Sequence, residues 1–413
     1  MISFNSARLQ RLNHLPPSAL TMHLLHHQVQ DKPIENSQSA ANGLCEAQDD
    51  NVAKGLESMV AHSETSHDVS HGIHMHGKTV FEVPWIQKMV PGIEKLAANY
   101  HIGNFVVVRK SGERIFESMP IYARIGMHLL FYGSARETIL NYKSVGHLLQ
   151  EQSVKQGAIY NSPESAKSIP SFVQTYALDM SELLEPDVTK YGSFNEFFFR
   201  KLKPDARPVE NPENPRGICS AADCRLTVYP TVSLACKYWI KGDEFSLPNL
   251  LQVPENSPTA IEFDGASMAI FRLAPADYHR FHCPIDGVVG DSTNIPGQYY
   301  TVNPQAVNEP KFDVFTANIR SVLYLTHTLT GKRVAFVAIG ALLVGSIVWT
   351  KGAEKGTEVK RGEELGYFAY GGSTVIALFP NGVVDFDEDL VKNSEEPIET
   401  LVQVGSSLGT TPA

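Results

Sequence analysis

Apolar positions change their spacing once along this chain of 413 residues. From Val80 to about Lys203 they return at three and four, as in IYARIGMHLLFYG and ETILNYKSVGHLLQEQSVKQG, and that period predicts helices. Ser162-Pro163-Glu164-Ser165 and Ser168-Ile169-Pro170 carry helix-start signals, and SFVQTYALDMSELL reads as a further helical segment. After the Pro-rich connector KLKPDARPVENPENPRG the apolar runs become short, alternating or β-branched, with Gly and Pro between them. RLTVYP, ASMAIFRL, GVVGDS, RVAFVAIG, ALLVGSIVWT, LGYFAY and STVIALF all predict strands. Ahead of both regions, residues 1–78 are rich in Ser, Asn, Gln and His without a sustained apolar period, which predicts a disordered tail. The expected class is α+β, with a tail over 1–78, a mainly helical region over 79–203 packed on the rest, and a β-rich domain over 204–413.

Two pieces of the β-rich part, CPIDGVVGDSTNIPGQYYTVN and EKGTEVKRGEELGYFAYGG, share one plan of small turn, short strand and Gly-containing turn. They resemble the flattened β-sandwich hairpins of lipoyl-carrier proteins, in architecture only. The uncharged run Val334–Thr350 is at the short limit for a membrane span, contains Gly340 and Gly345 and is rich in β-branched residues, so it reads as two buried strands. Any membrane contact is then peripheral. The stretch Met119–Phe131 is apolar enough to lie on a bilayer, but core packing is the better reading.

Composition narrows the function classes. With 45 acidic and 35 basic residues the net charge is −10, which argues against nucleic acid as a partner. The five cysteines include no CxxC pair, so neither a disulfide framework nor a zinc site is indicated, and a reducing compartment is expected. No secretory signal opens the chain. Nine of the fifteen histidines fall in the tail; His71, His74 and His76 there have no fixed geometry and are assigned no metal.

Candidate chemistry concentrates in three places. Gly371-Gly372-Ser373-Thr374 joins two strand-like runs, and a serine after two glycines can attack its own backbone, because glycine leaves the preceding carbonyl open and tolerates strain. Gly-Ser also occurs at 133, 192, 345 and 405, so the tetrapeptide alone is a weak signal that reads first as an ordinary hairpin. Asp223, in SAADCR, is a carboxylate at the start of a β-run, where a turn-capping role is common. Leu273–Pro284 is the densest polar cluster, with Asp277, Tyr278, His279, Arg280 and His282 in succession. Its two histidines allow two separate proton-transfer tasks. An Asp, a His and a Ser together are the parts by which an oriented imidazole activates a hydroxyl.

With these segments in view, the chain resembles the phosphatidylserine decarboxylase family, in its eukaryotic type II branch. The matching segments run from about Ser162 to Val404 and include FNEFFFRKLKPDARPV, CSAADCRL, PADYHRFHCPIDG, PGQYYTVNPQAV, VAFVAIGALLVGSI and VKRGEELGYFAYGGSTV. The resemblance implies a precursor that cuts itself between Gly372 and Ser373, giving a β chain of 1–372 and an α chain of 373–413 capped by a pyruvoyl group made from Ser373. It implies that Asp223 and His282 activate Ser373 for that cut and that His279 serves decarboxylation. The pyruvoyl group would hold the substrate amine as a Schiff base and convert phosphatidylserine to phosphatidylethanolamine and CO2 at a membrane surface. Arg280 and Tyr278 are candidate substrate-binding residues, although a salt bridge suits Arg280 equally. No metal is expected, a homodimer is compatible, and the resemblance points to endomembranes of Golgi, endosome or vacuole type or to the cytosol. Three rivals stand beside it: a pyruvoyl decarboxylase of a soluble aromatic amino acid such as tryptophan, a serine hydrolase, and a non-catalytic lipid-binding module. The hydrolase lacks a G-x-S-x-G elbow, since Ser373 leads into a strand.

Overall fold

The computed structural model describes residues 103–118, 154, 157–242, 245–302, 304–308, 313–341, 346–369 and 373–413. Strand β1 (Gly103–Val108) turns back as β2 (Arg114–Ser118). Next come β3 (Gly217–Cys219), β4 (Cys224–Tyr229), β5 (Ser267–Leu273), β6 (Arg280–His282) and β7 (Gly287–Ile295), then β8 (Arg320–His327), β9 (Arg333–Gly340) and β10 (Ser346–Trp349). The last are β11 (Glu358–Val359), β12 (Glu364–Ala369), β13 (Ser373–Phe379), β14 (Asp385–Phe386), β15 (Glu399–Val402) and β16 (Ser407–Thr410). Ten of them form one sheet in the order β11-β7-β8-β9-β13-β5-β4-β15-β1-β2, and the other six form two three-stranded sheets, β10-β12-β6 and β14-β16-β3. Within the large sheet every pairing is antiparallel except β1 with β15.

Strand β13 lies at the centre and all seven of its residues are buried, so its run STVIALF is apolar on both faces rather than alternating. Register sets Val375 between Phe271 of β5 and Ala338 of β9, and Ala377 between Ala269 and Phe336. Because side chains alternate along a strand, these residues share one face. That face packs into a core with Phe281 of β6, Leu365 and Phe368 of β12, and Ile218 and Leu408 of the third sheet. Packing within the second sheet requires a glycine: a Cβ on Gly366 of β12 would stand 2.3 Å from the Val348 carbonyl of β10 and 2.6 Å from the Phe281 ring of β6.

A second apolar cluster lies ahead of the large domain, where helix α1 (Ile169–Tyr176) packs Phe172 with Tyr160, Tyr191 and the run FNEFF of helix α2 (Phe194–Phe198). Ser193 caps α2 by accepting from the Glu196 N–H, and the Glu196 carboxylate reaches back to the Gly192 N–H. Phe172 meets Phe194 and Phe197 edge to face at 5.1 and 6.1 Å. Helix α3 (Glu388–Glu395) covers β4, where the Ser394 hydroxyl accepts from the Val228 N–H.

The α+β class holds, and Val334–Thr350 does supply two strands, β9 and β10. One difference falls in the stretch read as mainly helical: residues 103–118 are a hairpin that extends the large sheet beside β15. FVVV and RIFES are too short to show a period, and their strand identity comes from a partner nearly 300 residues away in sequence. The two hairpin-like pieces of the sequence do meet, since β11 pairs with β7. The tail, Met119–Phe131 and the Gly371-Gly372 pair lie outside the described residues. Among the described residues no helix is long and apolar enough to cross a membrane.

Candidate active site

The end of the large sheet where β13 begins collects the chemistry. Ser373 pairs with Leu273, the last residue of β5, and with Gly340, the last residue of β9. Two residues before Val375, it lies on the face turned toward the second sheet. It is fully buried, and among the described residues its Oγ has no hydrogen-bond partner. Leu273 leads into the loop Ala274–His279, which therefore starts beside Ser373. The Asp223 segment joins this end through the backbone: His282 N–H donates to the Ala221 carbonyl at 2.7 Å.

The loop is held by side chains. The Asp277 carboxylate accepts from the Ala274 N–H at 2.7 Å and from Arg225 at 2.7 and 2.8 Å, closing a tight turn. Burial pushes the Asp277 carboxyl upward, and Arg225 opposes that rise. The Asp277 carbonyl lies 2.9 Å from His279 Nδ1; a carbonyl only accepts, so this nitrogen carries the proton and Nε2 is the basic one. The His279 ring is fully buried and lies against Phe198 of α2, with centroids 3.9 Å apart.

His282 is fixed in the same way. Its Nδ1 donates to the Gly362 carbonyl at 2.8 Å, and its Nε2 accepts from the Tyr278 hydroxyl. Burial lowers the His282 pKa, against the opposing influence of the Gly362 carbonyl, Glu364 and Asp223. Burial likewise raises Tyr278 well above the ordinary phenol value, so it stays a donor.

Asp223 touches neither ring nitrogen of His282. Its carboxylate accepts from Arg207 Nε at 2.9 and 3.0 Å and from the Val404 N–H at 2.8 Å, and Arg207 also pairs with Glu182 at 2.9 Å. It reaches His282 through the field only, as one of the charges that raise the imidazole.

The two residues offered by the sequence for substrate binding are engaged inside the protein. Arg280, 5% exposed, donates to the Phe199 carbonyl at 2.9 Å, pairs with Glu364 at 2.8 Å and lies over the Tyr367 ring at 5.0 Å. Tyr278 is the partner of His282. Of the two roles the sequence left open for Arg280, a ligand contact or a salt bridge, the structure shows the salt bridge, made inside the protein because the short strand β6 is paired with β12.

The residues that sequence reasoning missed are those that hold the others: Arg207, Arg225, Arg200, Phe198 and the Gly362 carbonyl. Arg200 and Arg207 stand within the quoted stretch FNEFFFRKLKPDARPV, yet nothing local in it marks them as partners of residues 16 or more positions away.

A family model described as phosphatidylserine decarboxylase matches residues 194–410, a span that contains every part of this site. The chain belongs to the phosphatidylserine decarboxylase family. It is 37% identical over 284 residues to a phosphatidylserine decarboxylase proenzyme of Fusobacterium nucleatum, covering 67% of this chain and 91% of that protein. It is 44% identical over 322 residues to phosphatidylserine decarboxylase proenzyme 3 of Schizosaccharomyces pombe and 44% over 287 residues to proenzyme 2 of Oryza sativa subsp. japonica, covering 78% and 69% of this chain. The chain spans only 32% and 45% of the length of these two larger proteins.

Proposed function

We propose that the chain is the precursor of a pyruvoyl-dependent phosphatidylserine decarboxylase that acts on lipid at a membrane surface. The observation that carries this reading is Ser373: a buried hydroxyl without a hydrogen-bond partner among the described residues, at the one end of the sheet where the Asp223 and histidine segments converge. Leaving a hydroxyl in that condition costs stability if its role is structural. It fits an atom whose task is to react. Names of the relatives as phosphatidylserine decarboxylase proenzymes support both the substrate and the self-processing.

In this reading Ser373 Oγ adds to the Gly372 carbonyl carbon and the peptide becomes an ester. Elimination then frees the Gly372 carboxylate, and hydrolysis of the residue left at 373 releases ammonia and leaves the pyruvoyl group. His282 removes the hydroxyl proton: desolvation lowers its pKa, which favours the neutral ring, and its Nε2 is basic because Nδ1 is tied to Gly362. Tyr278 occupies that Nε2, so either the proton moves through the Tyr278 hydroxyl or the Ser373 hydroxyl takes the place of Tyr278 at Nε2. Asp223 stabilises the imidazolium through space, and Arg207 holds Asp223 in place.

Once formed, the group supplies a carbonyl that takes the substrate amine and accepts the electron pair left when CO2 departs. His279 delivers the proton to the substrate carbon after its Nε2 has taken one up; in support, the Asp277 carbonyl holds Nδ1–H and Phe198 holds the ring plane. Residues 373–413 contribute β13 to the middle of the large sheet and β15 between β4 and β1, so the cut chain stays embedded in its partner.

Mass spectrometry of the purified protein, with carbon dioxide release from phosphatidylserine vesicles and from tryptophan, tests the proposal. Two fragments, 1–372 and a 373–413 peptide with a blocked N-terminus, together with release from the lipid are expected. A single intact chain overturns the self-processing, and release from tryptophan alone overturns the substrate.

A further inference from the structure

Arg200 is 5% exposed and burial lowers its pKa to about 10, so the fold holds a guanidinium where a charge is costly. The two carboxylates whose fields reach it are both engaged elsewhere, Asp277 by Arg225 and Asp223 by Arg207. Its own contacts are slight. Nη2 donates to the Ala276 carbonyl at 2.9 Å, Nη1 reaches the Phe198 carbonyl only at 3.5 Å, and Nε has no partner among the described residues. The guanidinium lies 5.1 Å from the Phe197 ring, which compensates the charge in part.

Arg320 shows how the same fold surrounds another buried arginine. It too lacks an ion pair among the described contacts, but its guanidinium donates to the carbonyls of Leu250, Asn249, Thr316 and Asn318. Arg200 is left incomplete by comparison. It is also tied to the active site on two sides, by Ala276 in the loop that begins beside Ser373 and by Phe198 against the His279 ring.

We propose that Arg200 binds the phosphodiester of the lipid headgroup, which completes its hydrogen bonds and neutralises its charge. A planar guanidinium matches phosphate oxygens in a forked geometry. The substrate carboxylate is the wrong anion: it leaves as CO2, and an ion pair to it would stabilise the ground state and be lost in the transition state. The phosphodiester is unchanged by the reaction, so its binding energy persists throughout. This inference rests on the proposed function.

Calorimetric titration of the self-cleaved protein with glycerophosphoethanolamine, ethanolamine and inorganic phosphate tests it without turnover. The wild type is expected to bind glycerophosphoethanolamine about ten- to a hundredfold more tightly than ethanolamine, the range for losing a hydrogen bond to a charged group. Arg200→Gln should bring the two ligands together, and Arg200→Lys, which keeps the charge without the fork, should fall between. In parallel, the KM of Arg200→Gln for glycerophosphoserine should rise by a similar factor. Equal wild-type affinity for the two amines, equal weakening of both by Arg200→Gln, or inorganic phosphate binding as tightly as the phosphodiester overturns the proposal. Should Arg200→Gln fail to fold, the wild-type titrations and Arg200→Lys still decide. A wild type that discriminates the phosphodiester yet releases no CO2 from phosphatidylserine fails the proposed function and leaves Arg200 as a phosphodiester site.

Discussion

Strand β13 and the loop Ala274–His279 meet at Leu273, yet they place their reactive residues by opposite means. Ser373 is positioned by a ladder on both sides, with β5 and β9, and by an apolar run buried on both faces. The histidines are positioned by ion pairs and carbonyls that come from distant segments: Arg225, Gly362, α2 and β12. A strand in mid-sheet tolerates little local adjustment, because moving one residue shifts the whole register. A loop held by individual side chains can be altered one contact at a time, so the nucleophile belongs to the rigid part and the proton carriers to the adjustable part.

The sharpest test of this contrast is Ser373→Ala. It leaves the ladder and the packing intact and removes one atom, so a folded, full-length chain without decarboxylase activity is expected on a denaturing gel with a CO2 assay. Two chains in that variant would mean that the strand does not carry the nucleophile.

Among the proton carriers, His282→Ala should slow self-cleavage by about 10²- to 10⁴-fold, the usual worth of general-base help, and Asp223→Ala should act in the same direction. His279→Ala should still cleave but turn over slowly. The two are separated by a time-resolved gel and a CO2 assay; a His279→Ala chain that stays intact while His282→Ala cleaves would exchange the roles assigned here.

Packing on β13 should be costly but chemically silent. Ile376→Ala removes a fully buried side chain and is expected to lower stability by about 2–5 kcal/mol, measured by denaturant unfolding, with the cleavage site unchanged.

The smallest effect concerns pH. Burial lowers the His282 pKa, so the imidazole remains neutral and basic to lower pH than an ordinary histidine, and the acid limb of self-cleavage should lie below about 6.5. Below that limb the imidazole is protonated and cleavage stops. Tyr278→Phe removes the hydroxyl that donates to the neutral ring and favours that form, so its acid limb should move to higher pH. A limb that stays in place after Tyr278→Phe would show that the hydroxyl does not tune the base.

The sequence by itself determined the strand character of Val334–Thr350 and STVIALF, and the family, because those properties reside in contiguous runs. It also singled out Ser373, Asp223, His279 and His282 as chemistry-bearing types at unusual spacings. Only the tertiary structure decided what each of them touches. Asp223 answers to Arg207 and Val404 rather than to a histidine, His282 to Tyr278 and Gly362, and Arg280 to Glu364 and the Phe199 carbonyl. Arg200 is the clearest case: in FNEFFFRKLK it is one basic residue among several, and its meaning appears only when burial removes water and no carboxylate among the described residues replaces it. Periodicity is a property of neighbours along the chain, whereas a partner for a buried charge is a property of neighbours in space, and those are chosen by the fold.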